Sequence, residues 1–264
     1  MPERKRAFSL IELSIVLVIL GLLVGGILAG QALIRASEMR SVCTEYSRYV
    51  TAISAFRDKY FQLPGDFNNA TALWGLSANC PGTPSTPSTD ATTCNGNDDG
   101  KIGTTTTSYE FFRSWQHLAD AGLIEGGGSY TGVPNIVGYG YSSALGSNVP
   151  ASHLSGAGWT LIYVGPVDVT STTFFEGNYS NVFYFGGVQP NDDTYKAILT
   201  PTEAWNIDTK LDDGAAGTGR ITTLEQNTGC HNAGTSTTVA LALTAQYKTS
   251  TNTIQCPLIM KTGY

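Results

Sequence analysis

Residues 8–34 read FSLIELSIVLVILGLLVGGILAGQALI, and this stretch decides the architecture of the chain. Its 27 residues carry one charged side chain, Glu12. As a helix the stretch would be about 40 Å long, which is enough to cross a bilayer. The basic residues Arg4, Lys5 and Arg6 precede it. By the positive-inside rule this asymmetry keeps the N-terminus in the cytoplasm and sends the rest of the chain out.

The apolar pattern continues past this stretch at steps of three and four residues, as far as Tyr60. A cleaved signal peptide is the alternative, and ILAGQA at 27–32 loosely resembles its cleavage site. Because the pattern does not stop there, we predict one helix, with a membrane part at 8–34 and an amphipathic part at 35–60. The charged residues predicted on the other face of the second part are Arg35, Glu38, Arg40, Glu45, Arg48, Arg57 and Asp58.

The charge of the 264-residue chain is unevenly distributed. The net charge is −6, which divides into +3 for residues 1–60 and −9 for residues 61–264. An acidic outer domain argues against nucleic acid as a partner, because phosphate backbones require a basic surface. Only 14% of the residues are charged and 30 are glycine, a composition that suits an extracellular domain rich in turns.

The five cysteines indicate an oxidising compartment outside the inner membrane. Four of them lie in residues 61–264, and the pairs closest in sequence are Cys80–Cys94 and Cys230–Cys256. Four cysteines allow three connectivities, so the pairing is an expectation. The remaining Cys43 is expected to be a buried thiol on the helix.

The segment RAFSLIELSIVLVILGLL, residues 6–23, resembles the N-terminus of the type IV pilin superfamily, which includes the pseudopilins of type II secretion. The resemblance implies that a leader of residues 1–7 is cut after Ala7 by a prepilin peptidase and that the new amine of Phe8 is methylated. Glu12 matches the glutamate that follows in that family. Ala7 departs from the usual glycine before the cut but keeps its small size.

Cleavage would give Glu12 a partner. A charge at mid-bilayer costs about 2.5–3.5 kcal/mol on insertion scales. In a filament, the Glu12 carboxylate of one subunit could pair with the Phe8 amine of a neighbour, and a subunit out of register would leave both uncompensated. We therefore interpret Glu12 as a register device. The alternative is a side chain that reaches the headgroups from a simple anchor.

Four glycines in the apolar stretch form overlapping GxxxG spacings: Gly21, Gly25, Gly26 and Gly30. One interpretation is close packing of membrane helices. The other is local loss of helix between Gly21 and Gly30 on assembly, as the resemblance to pilins implies, since each glycine costs about 1 kcal/mol relative to alanine in a helix.

NGNDDGKI, residues 95–102, matches the first eight positions of an EF-hand-type calcium loop. Oxygen ligands would come from Asn95, Asn97, Asp99 and the Lys101 carbonyl. Thr106 stands at the twelfth position in place of the usual glutamate, so we expect Glu110 to substitute. A plain Asn/Asp/Gly turn without metal is the alternative. Asp208, Asp212 and Asp213 form another acidic group, either a second cation site or caps for the amides of the following turn.

The region after Tyr60 predicts an α+β domain at 61–264, with the long N-terminal helix packed on an antiparallel sheet and short extra helices. Helices are expected within 108–127 and 200–214, the second beginning with a capping box at Thr200 and Glu203. Short apolar runs separated by turn residues predict strands at 136–142, 158–165, 181–187, 195–200, 219–225 and 239–247.

These features predict a structural subunit and not an enzyme. His117, expected at the surface or in packing, is scattered from His153 and His231, and no nucleophile or phosphate-loop motif is present. The expected partners are copies of this chain or related pilins, prepilin peptidase, and the inner membrane before assembly into an extracellular or periplasmic filament. The alternative is an anchored, calcium-dependent binding domain that does not polymerise. Its glycan contacts could come from Tyr139, Tyr141 and Tyr179, although the simpler interpretation of these rings is core or subunit contacts.

Overall fold

The structure is a computed structural model, and it describes residues 10–76, 93–103, 109–126, 130–132, 135–136, 141–168, 170–190, 192–233 and 239–264. The chain forms two compact units, one ending at Arg40 and the other comprising Ser41–Tyr264. A single helix, α1 (Leu10–Tyr60), contributes to both and has 51 residues. The prediction of one long helix to Tyr60 is therefore confirmed.

The helix α1 ends at Tyr60 and is followed by Phe61, which takes a left-handed conformation with φ of 62°. The turn containing Pro64 and Gly65 follows, as the sequence predicts. The other elements lie in the second unit. They are α2 (Ala70–Trp74), α3 (Glu110–Asp120), β1 (Asn135–Ile136), β2 (Tyr141–Ser142), β3 (Ala157–Tyr163), β4 (Pro166–Val167), β5 (Gly177–Asn178), β6 (Asn181–Gly187), α4 (Pro201–Leu211), β7 (Ile221–Thr222), α5 (Val239–Thr244) and β8 (Leu258–Lys261).

The main sheet has four antiparallel strands in the order β3-β6-β8-β7. Strands β3 and β6 are almost entirely buried, so both faces of the sheet are covered. Side chains of β6 alternate between the two faces of the sheet, and on one face Phe183 contacts Tyr46 of α1. On the other face lies a second apolar cluster, whose buried members are Ile162, Tyr179, Val182, Tyr184, Leu224 and Ile259. The fold is α+β, as predicted.

The core between α1 and the sheet is aromatic. The ring of Tyr49 on α1 lies 5.0 Å from that of Trp115 on α3 and 5.5 Å from that of Trp159 on β3. Tyr49 also contacts Phe183, with ring centroids 6.1 Å apart. The two tryptophan contacts are edge-to-face, and contacts of this kind contribute about 0.5–1.5 kcal/mol more than the buried apolar area alone. The apolar stripe of the amphipathic half of α1 thus packs as its period predicts.

Several predictions about local structure are wrong. Residues 239–244 form α5 and not the predicted strand. The prediction failed because a short apolar run of Val, Ala and Leu has no periodicity that distinguishes a helix from a strand. Residues 195–200, all described, make only isolated bridges, Gly187–Lys196 and Leu199–Cys256. The last strand is instead β8. Glu45, predicted on the outer face of α1, is 4% exposed. Tyr179, by contrast, is 3% exposed and buried in the second cluster, which agrees with its interpretation as a core residue and not as a glycan contact.

Candidate functional site

The first candidate site is the apolar part of α1. Its large side chains from Leu10 to Ile34 are between 50% exposed, at Val16, and 87% exposed, at Leu10. The helix is long and apolar enough to cross a membrane. Uncovered apolar surface of this extent is typical of a segment that lipid or other helices cover.

Glu12 lies in the first turn of α1 and is exposed. The nearby hydroxyl of Ser14 donates to the carbonyl of Ile11 at 2.9 Å, so Ser14 is satisfied within the helix. Ala7 and Phe8 lie outside the described residues. Cleavage after Ala7, methylation of Phe8 and the pairing of its amine with Glu12 therefore remain predictions.

The glycines Gly21, Gly25, Gly26 and Gly30 lie within continuous helix. A β-carbon added at any of them would meet nothing within 4 Å. No contact described in this chain therefore requires their small size, and an approaching helix would supply such a requirement. The predicted loss of helix between Gly21 and Gly30 concerns the assembled state.

The second candidate site is an acidic triad formed by Asp66, Asp99 and Glu110. One carboxylate oxygen from each lies within 4.8 Å of the others. The three residues come from the turn after α1, from the loop at 93–103 and from the first turn of α3. Asp99 is exposed, whereas Asp66 and Glu110 are each 1% exposed.

Asp66 organises the loop through its two carboxylate oxygens. Oδ1 accepts the Asp99 N–H at 3.1 Å and Oδ2 accepts the Gly100 N–H at 2.8 Å. A β-carbon at Gly96 would lie 2.3 Å from the carbonyl carbon of Asp66, so only glycine fits where the two segments meet. Sequence reasoning missed Asp66, although its position directly after Pro64 and Gly65 placed it where the chain returns from the helix end.

Glu110 joins α3 to the same loop. Its Oε1 accepts the Asn97 N–H at 3.2 Å, and its Oε2 accepts the Gly103 N–H at 2.8 Å. Burial raises the pKa of Glu110 to about 7, and the carboxylates of Asp66 and Asp99 add to the increase. The two hydrogen bonds from backbone N–H groups lower the pKa and so oppose this increase. The pKa of Asp66 is also raised, chiefly by burial.

The other predicted ligands are placed differently. The side-chain oxygen of Asn95 accepts the Thr71 N–H at 2.9 Å and so serves α2. The side-chain oxygen of Asn97 accepts the Asp99 N–H at 3.2 Å, and Asp99 Oδ1 accepts the Lys101 N–H at 2.9 Å. The structure thus brings Asp99 and Glu110 together but adds Asp66. Thr106 lies outside the described residues.

The acidic group at the end of α4 caps the turn that follows, which is the simpler of the two interpretations. Asp208 accepts the Gly214 N–H at 3.1 Å and the Tyr247 hydroxyl at 2.9 Å. Asp213 accepts the Ala215 N–H at 2.8 Å. Asp212 accepts the backbone N–H groups of Arg220 and Ile221. Burial raises the pKa of Asp208 to about 7.

One predicted disulfide is present. Cys230 and Cys256 are bonded, with their Cα atoms 5.2 Å apart. Cys94 is buried, but its predicted partner Cys80 lies outside the described residues, so that pairing remains a prediction. Cys43 is half-buried, and burial raises the pKa of its thiol.

Comparison with known families identifies one segment. Residues 3–28 match the family model described as the prokaryotic N-terminal methylation motif, which is the prepilin signal of type IV pilins and pseudopilins. This match confirms the resemblance seen in residues 6–23. No curated protein and no solved structure matches the chain.

Proposed function

We propose that this chain is a structural subunit that polymerises through α1 into a type IV pilus-like filament or a type II secretion pseudopilus. One coincidence carries the proposal. The segment that matches the prepilin signal, residues 3–28, overlaps the helix whose apolar side chains are uncovered from Leu10 onward. Lipid would cover that surface before assembly, and copies of residues 8–34 would cover it afterwards.

In this account a prepilin peptidase removes residues 1–7 at the inner membrane, and the amine of Phe8 is methylated. The processed chain then leaves the bilayer to enter a periplasmic or extracellular filament. Its partners are copies of itself or related pilins, and its role is structural and not catalytic. The prepilin signal supports each of these steps.

Glu12 sets the register in this assembly. A carboxylate surrounded by apolar helices is strongly disfavoured unless a cation neutralises it. The Phe8 amine of a neighbouring copy is the cation that processing creates. A copy shifted along the bundle would leave two uncompensated charges, so the pair disfavours wrong registers more than it stabilises the right one.

The test compares Glu12→Ala with Ser14→Ala, a matched polar-to-alanine change two residues away, in cells that contain prepilin peptidase. We expect both variants to insert into the membrane, and electron micrographs to show fibres for Ser14→Ala but few or none for Glu12→Ala. Mass spectrometry should find a mature N-terminus at methylated Phe8. An intact Met1, or a cut near Ala29 or Ala32 without fibres, would instead favour an anchored binding domain.

We also propose that the acidic triad binds calcium as a structural ion. Each ionised carboxylate has about four lone-pair positions, and the hydrogen bonds from backbone N–H groups to Asp66 and Glu110 use only some of them. Hard carboxylate oxygens suit calcium better than a transition metal. Burial is the main reason for the raised pKa of Glu110, and a cation would offset the repulsion from Asp66 and Asp99 that adds to it.

The calcium proposal is tested by the melting temperature of the full chain with chelator and with added calcium. We expect calcium to raise the melting temperature of the native protein and Asp99→Asn to abolish most of the increase. Asp58→Asn, which removes the same charge from an exposed position on α1, should respond like the native protein. An equal response of native protein and Asp99→Asn would contradict the proposal.

A further inference from the structure

A cavity of about 310 Å³ lies beside the second apolar cluster, on the side of the main sheet that carries Tyr184. It is separate from both α1 and the acidic triad. Three aromatic rings line it: Phe174, Tyr184 and Tyr195. The rings of Tyr184 and Tyr195 have centroids 5.9 Å apart and are nearly perpendicular, and Phe174 lies 6.2 Å from Tyr184.

Two neighbouring carboxylates, Asp192 and Asp193, complete the wall. Asp193 is 3% exposed, and its Oδ1 is buried without a hydrogen-bond partner among the described residues. Asp192 is held in place, because it accepts the Asp193 N–H at 3.0 Å and the hydroxyl of Tyr195. The cavity is thus built by a fixed acid, a buried acid and three rings.

The negative charge of this wall has no counter-charge among the described residues that line the cavity. None of the described lining residues is Lys, Arg or His. Burial and the Asp192 carboxylate raise the pKa of Asp193 to about 7, and both acids add to the burial that raises the pKa of Tyr184. A buried carboxylate with an unbonded oxygen is costly unless a cation or a proton donor reaches it.

We propose that this cavity binds a small organic ammonium ion. The carboxylates supply the opposite charge, and aromatic rings attract a cation at their faces. A neutral sugar would stack on the rings but leave the charge of Asp193 uncompensated. A metal ion would prefer a shell made of oxygen ligands to a cavity lined largely by rings. The site is independent of the proposed assembly.

Two sources share this chemistry, a lipid-type headgroup and the lysine side chain of a peptide. The probes are therefore choline and Nα-acetyl-lysine amide, each titrated into the full chain in a polyoxyethylene detergent and followed by ligand-observed NMR. Saturable binding of either probe supports the proposal, and the order of their affinities identifies the source. The neutral isostere of choline, 3,3-dimethylbutanol, should not bind measurably.

Variants distinguish the effect of the charge of the cavity on binding from the effect of its shape. Asp193→Asn, which keeps the volume and removes the charge, should weaken binding by about tenfold or more. Tyr195→Leu should also weaken it, whereas Asp58→Asn should leave it unchanged. The proposal is overturned if the neutral isostere or galactose binds as well as choline. It is equally overturned if neither ammonium probe binds, or if binding survives Asp193→Asn undiminished.

Discussion

Glu45 on α1 accepts the indole N–H of Trp159 on β3 at 2.7 Å, and this bond ties the amphipathic half of the helix to the main sheet. The other carboxylate oxygen of Glu45 bonds the backbone N–H of His153 at 2.8 Å and its Nδ1 at 2.7 Å. A buried acid that satisfies three donors fixes both the rotation and the axial position of the helix.

We expect Glu45→Ala to lower the free energy of unfolding by at least about 2 kcal/mol, because the indole N–H of Trp159 would remain buried without an acceptor. Denaturant titration of the full chain in detergent, followed by tryptophan fluorescence, measures this. Glu125→Ala is the control, since that side chain is 93% exposed and its loss should change stability by less than about 0.5 kcal/mol. Equal stabilities for the two variants would contradict the role assigned to Glu45.

His117 should stay neutral far into the acid range. It is fully buried, its Nδ1 accepts the Gly65 N–H at 2.9 Å, and its Nε2 lies 3.1 Å from the Cys94 carbonyl. Burial, with a smaller contribution from Arg113, lowers the pKa of His117 from 6.5 to about 3. Between these values the unfolded state binds more protons, so this histidine's contribution to stability is complete above pH 6.5 and is lost as the pH falls towards 3.

The measurement for His117 is the NMR shift of its imidazole as a function of pH in the folded protein. We expect the neutral form, with the proton on Nε2, to persist at about pH 4.5. Protonation near pH 6.5 in the folded state would show that the ring is not desolvated as its burial implies.

Glu110 should make the cation-free protein less stable at high pH. Its pKa rises from 4.5 to about 7 on folding, so its contribution is complete below pH 4.5 and is lost as the pH rises through 7. Between pH 5 and pH 8 in chelator, Glu110→Gln should therefore lose less stability than the native protein, by about 2 kcal/mol or roughly 4–8 °C in melting temperature. Under the calcium proposal, added calcium should narrow or reverse this difference.

Asp193 and Asp208 also have pKa values of about 7, so the native pH profile alone does not isolate Glu110. The comparison of native protein with Glu110→Gln at pH 5 and pH 8 does. If the two proteins show the same change in melting temperature between these pH values, the burial of the Glu110 charge is not what destabilises the loop.

The Cys230–Cys256 disulfide should contribute about 3–4 kcal/mol, because it closes a loop with a sequence separation of 26 residues. The double variant Cys230→Ser and Cys256→Ser removes it without reducing any other bond. Cys43→Ser is the control for thiol loss and should change stability little, as this residue is half-buried on the helix. If the double variant were as stable as Cys43→Ser, the disulfide would not contribute the expected stability.

The sequence predicts those elements whose signal is local. The period of α1 and the capping box of α4 are examples, since Thr200 and Glu203 bond each other's backbone as their spacing predicts. The Cys230–Cys256 disulfide is predicted because these two cysteines are close in sequence. The antiparallel sheet follows from strands β3 and β6, whose apolar runs are long enough to be unambiguous.

What the sequence does not predict depends on contacts between distant segments. In the sequence, nothing distinguishes Glu45 from the other charged residues of α1. Its burial depends on contacts with Trp159 and His153, which lie more than 100 residues away along the chain. Asp66 becomes part of the acidic triad because the turn after α1 places it beside Asp99 and Gly100, which lie 33 and 34 residues further along the chain. Residues 239–244 are short and apolar, so tertiary packing decides between helix and strand.

A density map of the assembled filament tests the central claim most directly, through the distance between the Glu12 carboxylate of one copy and the Phe8 amine of the next. We predict a separation of about 3 Å, within hydrogen-bond range. A Glu12 carboxylate that faces water or lipid headgroups, with no amine of a neighbouring copy near it, would contradict the claim.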